Sequence, residues 1–464
     1  MRRAFGLILL LNGGLGAASH VIAAPYTVEQ AVAVAEAHNP EIAVARKKIQ
    51  AAGGTLIEAR SGFLPSVVST GLFRYREHQT DSTLRNEDYN ASVRVVQNLY
   101  SGGAVPSQVA IARLNIEKQQ LELKAVTNRV AMDVRIAFNE LLLNRAKIRV
   151  GEQAVGVLQE ELKTQQERFS AGTVGQLNVS RAKVALASQQ PELVGAQTQL
   201  QNSYLRLNEL CGGNGSNPDQ SKFEATGQLQ YHPRHPDLNE CLARADSDRP
   251  EIRARQIEVE IEDRQADLDR SEMRPRIEAF SGYEVYNERD PSVGHEFNHG
   301  YVVGVNARWH IFDGYATKGR LQATHARRAA AAQNLEASRL SVASEVRSAL
   351  LDLQQADHVL ESETKNVQTA DESLEVAKAN AVAGLTTQLD VLQAASDVTR
   401  TRTTRLNAIY LHNVAVARIA RASAVPPEAL EFPAKLSRSA HGDSNQTTAR
   451  VLSIARPPAQ LSQR

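Results

Sequence analysis

Ala171-Gly172-Thr173-Val174-Gly175-Gln176-Leu177-Asn178-Val179 and Ala383-Gly384-Leu385-Thr386-Thr387-Gln388-Leu389-Asp390-Val391 repeat one pattern in two places. Each is an Ala-Gly pair followed by Gln-Leu-x-Val. Outward from them, other landmarks pair in the same order. Ser101-Gly102-Gly103 matches Asp313-Gly314-Tyr315, Leu64-Pro65 matches Arg274-Pro275, and Asn39-Pro40-Glu41-Ile42 matches Arg249-Pro250-Glu251-Ile252. The separation stays nearly constant, which chance does not supply four times in register. The chain is a tandem duplication.

Each half reads alike. A helix of moderate length (28–60, then 250–272) leads into two strand-like stretches. A very long helix follows (105–170, then 316–383), and a Gly-containing tip turns into a shorter helix (176–210, then 388–422). Gly151, Gly156 and Gly319 are the only glycines in the long segments, and at 1.5 Å per residue each helix extends roughly 100 Å. Such lengths mean coiled coils or helical arrays. Val130, Val134, Phe138, Leu141 and Leu142, and likewise Leu340, Val342, Val346, Leu350 and Leu353, form apolar stripes for neighbouring helices. The expected organisation is a signal peptide at 1–23, a first repeat at 24–211, a linker or equatorial segment at 212–248, a second repeat at 249–424 and a disordered tail at 425–464.

The strands alternate, the mark of a sheet with two unlike faces. Tyr89, Ala91, Val93, Val95 and Leu99 share one side, opposite Asn90, Ser92, Arg94 and Asn98. Tyr301, Val303, Val305, Ala307, Trp309 and Ile311 share a side, as do Ile277, Ala279, Tyr283 and Val285; Val67, Phe73 and Tyr75 do so more weakly. Apolar alternation over about ten residues suits a transmembrane barrel. Tyr75, Tyr100, Trp309 and Phe312 near strand ends suit interfacial aromatic belts. Four strands cannot close such a barrel, and lipid tolerates no open edge, because each unpaired backbone group there costs several kcal/mol. Three copies would supply twelve strands and a closed wall.

Met1-Arg2-Arg3, a short apolar stretch and small residues up to Ala24 have the order of a secretory signal, with cleavage expected after Ala23. Charge is balanced, 53 basic against 52 acidic residues, so nucleic acid is not an expected partner. Cys211 and Cys241 flank a Gly/Asn/Pro-rich segment. They either close a disulfide in an oxidising compartment or are two buried thiols. His295 and His299 lie in a polar loop, where isolated histidines are usually solvated rather than metal ligands.

These residues together resemble the TolC-type outer-membrane efflux protein family, the outer membrane factors. The resemblance runs over Tyr26-Thr27-Val28-Glu29-Gln30-Ala31, Asn39-Pro40-Glu41, Leu64-Pro65, the Gly turns after each strand pair, and Gly384 to Val391. It implies a homotrimer in the Gram-negative outer membrane. Its fold would be α+β, a shared β-barrel continued by a long α-helical barrel across the periplasm. The implied role is a passive exit duct of a tripartite efflux or type I secretion system, joined to a periplasmic adaptor and an inner-membrane transporter of ABC or RND type. By the same resemblance Asp390 falls at an acidic constriction, Gln393 stands where a second carboxylate can occur, and Thr386 where some members carry a latching Arg. Gly172, Thr173, Gly384 and Leu385 are then the adaptor-contact tips. Thr387-Gln388-Leu389-Asp390 reads equally as a helix capping box, and the four tip residues as helix-ending turns.

No Gly-x-Ser-x-Gly elbow, phosphate loop or His-Glu-x-x-His helix occurs. Neither enzymatic activity nor a cofactor is expected. The competing reading is a periplasmic adaptor protein, which also uses helical hairpins. Paired strands in both halves argue against it.

Overall fold

The structure, a computed structural model, describes residues 26–77, 86–213, 225–287, 290, 292 and 297–425. The expected signal peptide and all but the first residue of the expected tail lie outside them. The elements are α1 (Val28–His38), α2 (Pro40–Ser61), β1 (Ser66–Tyr75), β2 (Glu87–Tyr100), α3 (Ala104–Ser170) and α4 (Gln176–Leu210), then α5 (Leu238–Asp248), α6 (Pro250–Arg270), β3 (Arg276–Asn287), β4 (Phe297–Arg308), α7 (Ala316–Val382) and α8 (Gln388–Ala422).

The duplication is visible element by element. The long helices α3 and α7 each hold 67 residues, and the returning helices α4 and α8 each hold 35. Each half packs its own core at the same positions. Ile42, Val130, Val134, Leu141 and Leu207 in the first half correspond to Ile252, Val342, Val346, Leu353 and Ile419 in the second. Pro106 sits in the first turn of α3, where its missing N–H has no helical partner to lose. Pro191 lies inside α4 and does forfeit a backbone bond.

Three differences from the sequence reading have physical causes. The opening helix is two helices, because Pro40 occupies the first turn of α2 and Asn39 caps it, its Oδ1 accepting from the Glu41 and Ile42 amides at 2.8 and 3.3 Å. The segment between the halves contains α5, started by Asp237, whose Oδ1 accepts from the Glu240 amide at 2.9 Å. The fourth strand stops at Arg308, because its last partner, Arg276, follows Pro275 and the ladder goes no further. Trp309 and Ile311 therefore lie beyond it.

The disulfide alternative is overturned. Cys211 and Cys241 are free, buried thiols. They occupy complementary halves of two repeat-equivalent sites. Cys211 donates to the Ala31 carbonyl at 3.7 Å in the first core, and Cys241 packs in the second core near Ser423. Burial pushes the Cys211 thiol up to about 11 and raises Cys241 as well, so both stay protonated.

Between the cores an extended strap, residues 225–237, crosses the helices. Arg145 Nη1 donates to the Ala225 carbonyl at 2.7 Å, Asn413 Nδ2 to the Gln230 carbonyl at 3.2 Å, and buried His412 holds the His232 carbonyl through Nε2 at 2.8 Å. The four strands form one antiparallel sheet in the order β1-β2-β3-β4, so the β2–β3 ladder joins the halves.

Candidate pore wall and entrance

The register turns the alternation into two surfaces. Val67 faces Val95, Phe73 faces Tyr89, Val93 pairs Tyr283, which pairs Tyr301, and Ala279 pairs Val305. All these side chains share one face and, Ala279 apart, stand in the open, Tyr301 at 90 % and neighbouring Val303 at 78 % exposure. Aromatics mark both ends of this apolar band. Phe73, Tyr75, Tyr89, Phe297 and Tyr301 lie toward the loops, and Tyr100, Trp309, Phe312 and Tyr315 toward the helices. An apolar band between aromatic girdles is what a bilayer requires of a barrel's outer face.

The opposite face is largely polar. Thr70 and Ser92 hydroxyls bond across strands at 2.8 Å, Arg74 pairs Asp88, and Arg94 pairs Glu284 at 3.0 Å. Two aromatic rings, Phe280 and Tyr286, stand among them. Phe280 packs against Gly304, where a Cβ would meet the ring at 2.5 Å, and the Arg94 guanidinium stacks 5.4 Å from its centroid. Among the described residues nothing pairs with either outer edge of the sheet, β1 or β4.

At the far end of the helices the two tips close by the same device. Gly172 and Gly384 adopt left-handed φ of +72° and +74°. In the first tip Thr173 N donates to the Arg168 carbonyl and Gly172 N to the Phe169 carbonyl, both at 2.9 Å. In the second, Leu385 N donates to the Asn380 carbonyl at 2.8 Å. These are Schellman closures. Leu385 stands 75 % exposed at the very end, with Leu177 and Leu389 also outside.

Asp390 caps α8, as its sequence pattern suggested. Its Oδ2 accepts from Thr387 Oγ1 at 2.7 Å and from the Thr387 amide at 2.8 Å. Those bonds hold its carboxyl below the usual 3.8. Asp390 is exposed and lines a groove between α7 and α8 together with Gln393, Asp397, Arg400 and Glu363. Gln393 Nε2 reaches both Asp397 oxygens at 3.4 Å, and Arg400 pairs Asp397 at 2.8 Å, which lowers the Asp397 carboxyl too. Thr386 bonds within its own hairpin, Oγ1 donating to the Ala377 carbonyl at 3.3 Å.

The structure thus gathers Asp390 and Gln393 in one groove and leaves Thr386 beside its own α7. Residues that sequence reasoning missed tie the tips together. Gln388 Nε2 donates to the Asn178 carbonyl at 2.9 Å, and Arg168 Nη1 to the Ala381 carbonyl at 3.3 Å. Higher up, Arg402 bridges Gln153 on α3 and Asp371 on α7, both at 3.0 Å. Of the loop histidines, His295 lies outside the described residues. His299 is not in a loop as expected but on β4, paired with Val285, and it bonds the Tyr283 hydroxyl on the apolar face. Among the described residues no cluster of three metal-ligand side chains occurs, and no helix is long and apolar enough to cross a membrane.

Comparison with known proteins gives one answer. The family described as Outer membrane efflux protein matches residues 31–213 and 241–425, both repeats. Outer membrane protein TolC of Vibrio cholerae is 24% identical over 430 residues, covering 90% of this chain and 94% of that one. The alkaline protease secretion protein AprF of Pseudomonas aeruginosa is 27% identical over 192 residues, 41% of this chain and 39% of that one. The crystal structure of the outer membrane protein VceC from Vibrio cholerae superposes with a TM-score of 0.72 at 18% identity, covering 86% of this chain and 96% of that chain.

Proposed function

The chain belongs to the outer membrane efflux protein family, and on that premise we propose that three copies close one twelve-stranded barrel, each β1 edge pairing with the β4 edge of the next. It is an outer membrane channel whose helical part lies in the periplasm, and its role is transport rather than catalysis. The observation that carries the trimer is the sheet with an apolar face between aromatic girdles and two unpaired edges. Lipid tolerates no such edge, so the wall must be completed by siblings.

Within that reading the duct is passive. An inner-membrane transporter supplies the work and a periplasmic adaptor joins the two. Docking falls to the tips, at Gly172, Thr173, Gly384 and Leu385, where exposed leucines end the hairpins. The entrance constriction falls to Asp390 and Gln393 in their groove. Three Asp390 carboxylates around an axis would focus negative potential and favour cations. The transporter class, ABC or RND, and the cargo follow from the partner.

Native mass measurement in detergent, with reconstitution into planar bilayers, tests the proposal. A trimer forming discrete pores is expected. A monomer recovered from the soluble periplasmic fraction, giving no conductance, would overturn it in favour of an adaptor.

A further inference from the structure

All four helices of the tunnel wall line one cavity, of about 540 Å³, at the seam where the α3/α4 hairpin meets the α7/α8 hairpin. Its floor is apolar and tightly packed: Ala154 and Leu158 from α3, Leu374 from α7, Ala395 and Val398 from α8, each at most 9 % exposed. The rim is charged. Arg402 pairs Asp371 at 3.0 Å and Lys378 pairs Glu375 at 3.3 Å, so these four cancel. One rim carboxylate is left over. Glu192 of α4 accepts from the neutral Gln189 amide at 3.0 Å, and among the described residues no cation pairs with it.

We propose that this seam cavity binds an amphiphilic organic cation, its apolar body on the Leu158–Leu374–Val398 floor and its charge against Glu192. The volume lies within the range of small-molecule sites, which combine apolar walls with a few placed polar groups. Charge complementarity selects the sign. A cation completes the rim, whereas an anion meets the uncompensated Glu192 carboxylate at the exposed mouth and is repelled. A molecule there touches both hairpins at once, so it ties them together and restrains their tips from parting. Binding rests on the fold alone, and the restraint rests on the duct reading, so the two can fail separately.

The test uses the full chain in lipid nanodiscs with ethidium as probe, followed by fluorescence titration. Saturable binding with one site per protomer is expected. Glu192→Gln, a change on the exposed rim, should weaken it on the order of tenfold, the worth of one charge-assisted contact. Ala395→Leu, which fills the floor, should weaken it further, and the anionic dye anilinonaphthalene sulfonate should not compete. Ethidium binding that is non-saturable, or equal in Glu192→Gln and the unsubstituted protein, overturns the site. If binding holds but ethidium leaves single-channel conductance unchanged in bilayers, the restraint on the tips is overturned while the site stands.

Discussion

Asp390 serves two roles at once, and one substitution separates them. As a cap it needs an acceptor oxygen for the Thr387 amide and hydroxyl; as an entrance charge it needs ionisation. Asn supplies the first and not the second. Asp390→Asn is therefore expected to relieve inhibition of the pore by multivalent cations while α8 still starts at Gln388; unchanged inhibition would leave Asp390 a cap only. The pH dependence follows from the depressed carboxyl. A group whose folded pKa lies below its unfolded value contributes in full above the unfolded value, and loses that contribution as pH falls through the folded one. The cap's contribution to the start of α8, read by helicity, should thus be the same at pH 7 and pH 5 and fade only below the ordinary aspartate value of 3.8. Fading near pH 6 would assign the effect to another group. The cap was legible in Thr387-Gln388-Leu389-Asp390 because a capping box is local. Arg402 and Gln388 were not legible, because their partners Gln153 and Asn178 lie in the other repeat and only the tertiary fold brings them near.

Elements are anchored differently at the same repeat position. In the first half, Asn39 Nδ2 donates to the Leu210 carbonyl at 2.8 Å, tying the start of α2 to the end of α4. In the second half the equivalent residue is Arg249, 3 % exposed, which pairs Glu345 at 2.6 Å and Glu251 at 3.3 Å. Arg421 at the end of α8 meets the same two carboxylates at 2.8 and 3.5 Å. A neutral clamp in one repeat has become an ionic box in the other. Removing a buried partner strands the remaining charges, at about 3–5 kcal/mol when all are buried. Here both carboxylates are about a third exposed, so Arg249→Ala should cost nearer 2 kcal/mol. The exposed Lys365–Glu361 pair is the control, and Lys365→Ala should leave stability unchanged. Chemical unfolding of the detergent-solubilised protein measures both, and equal losses would refute the box. The long helices were readable because few breakers interrupt their stripes. The breaks around Asn39 were not, since Pro at a first helical turn leaves the apolar period intact. The extent of β4 was overread because Trp309 and Ile311 continue its alternation without a partner strand.

For the whole molecule, sidedness of the sheet decides where the protein can reside. Val303 and Asn306 lie three residues apart on β4 and belong to opposite faces: Val303 pairs Ser281 within the apolar band, Asn306 pairs Glu278 on the polar side. If three protomers close one barrel, Val303 meets hydrocarbon and Asn306 meets the water-filled interior. A cationic side chain on the lipid face near the midplane costs about 2–4 kcal/mol per copy, against little in the lumen. A trimer repeats that cost three times, because every copy carries the substitution. Val303→Arg should therefore deplete the heat-modifiable trimer from the outer-membrane fraction. Asn306→Arg, beside Glu278, should assemble normally and alter only ion selectivity. The helical cores lie on other elements and are touched by neither change, so the soluble part folds in both cases and the contrast reads the membrane step alone. Equal assembly of the two variants would mean that the apolar face does not contact lipid, and the closed barrel would fall with it.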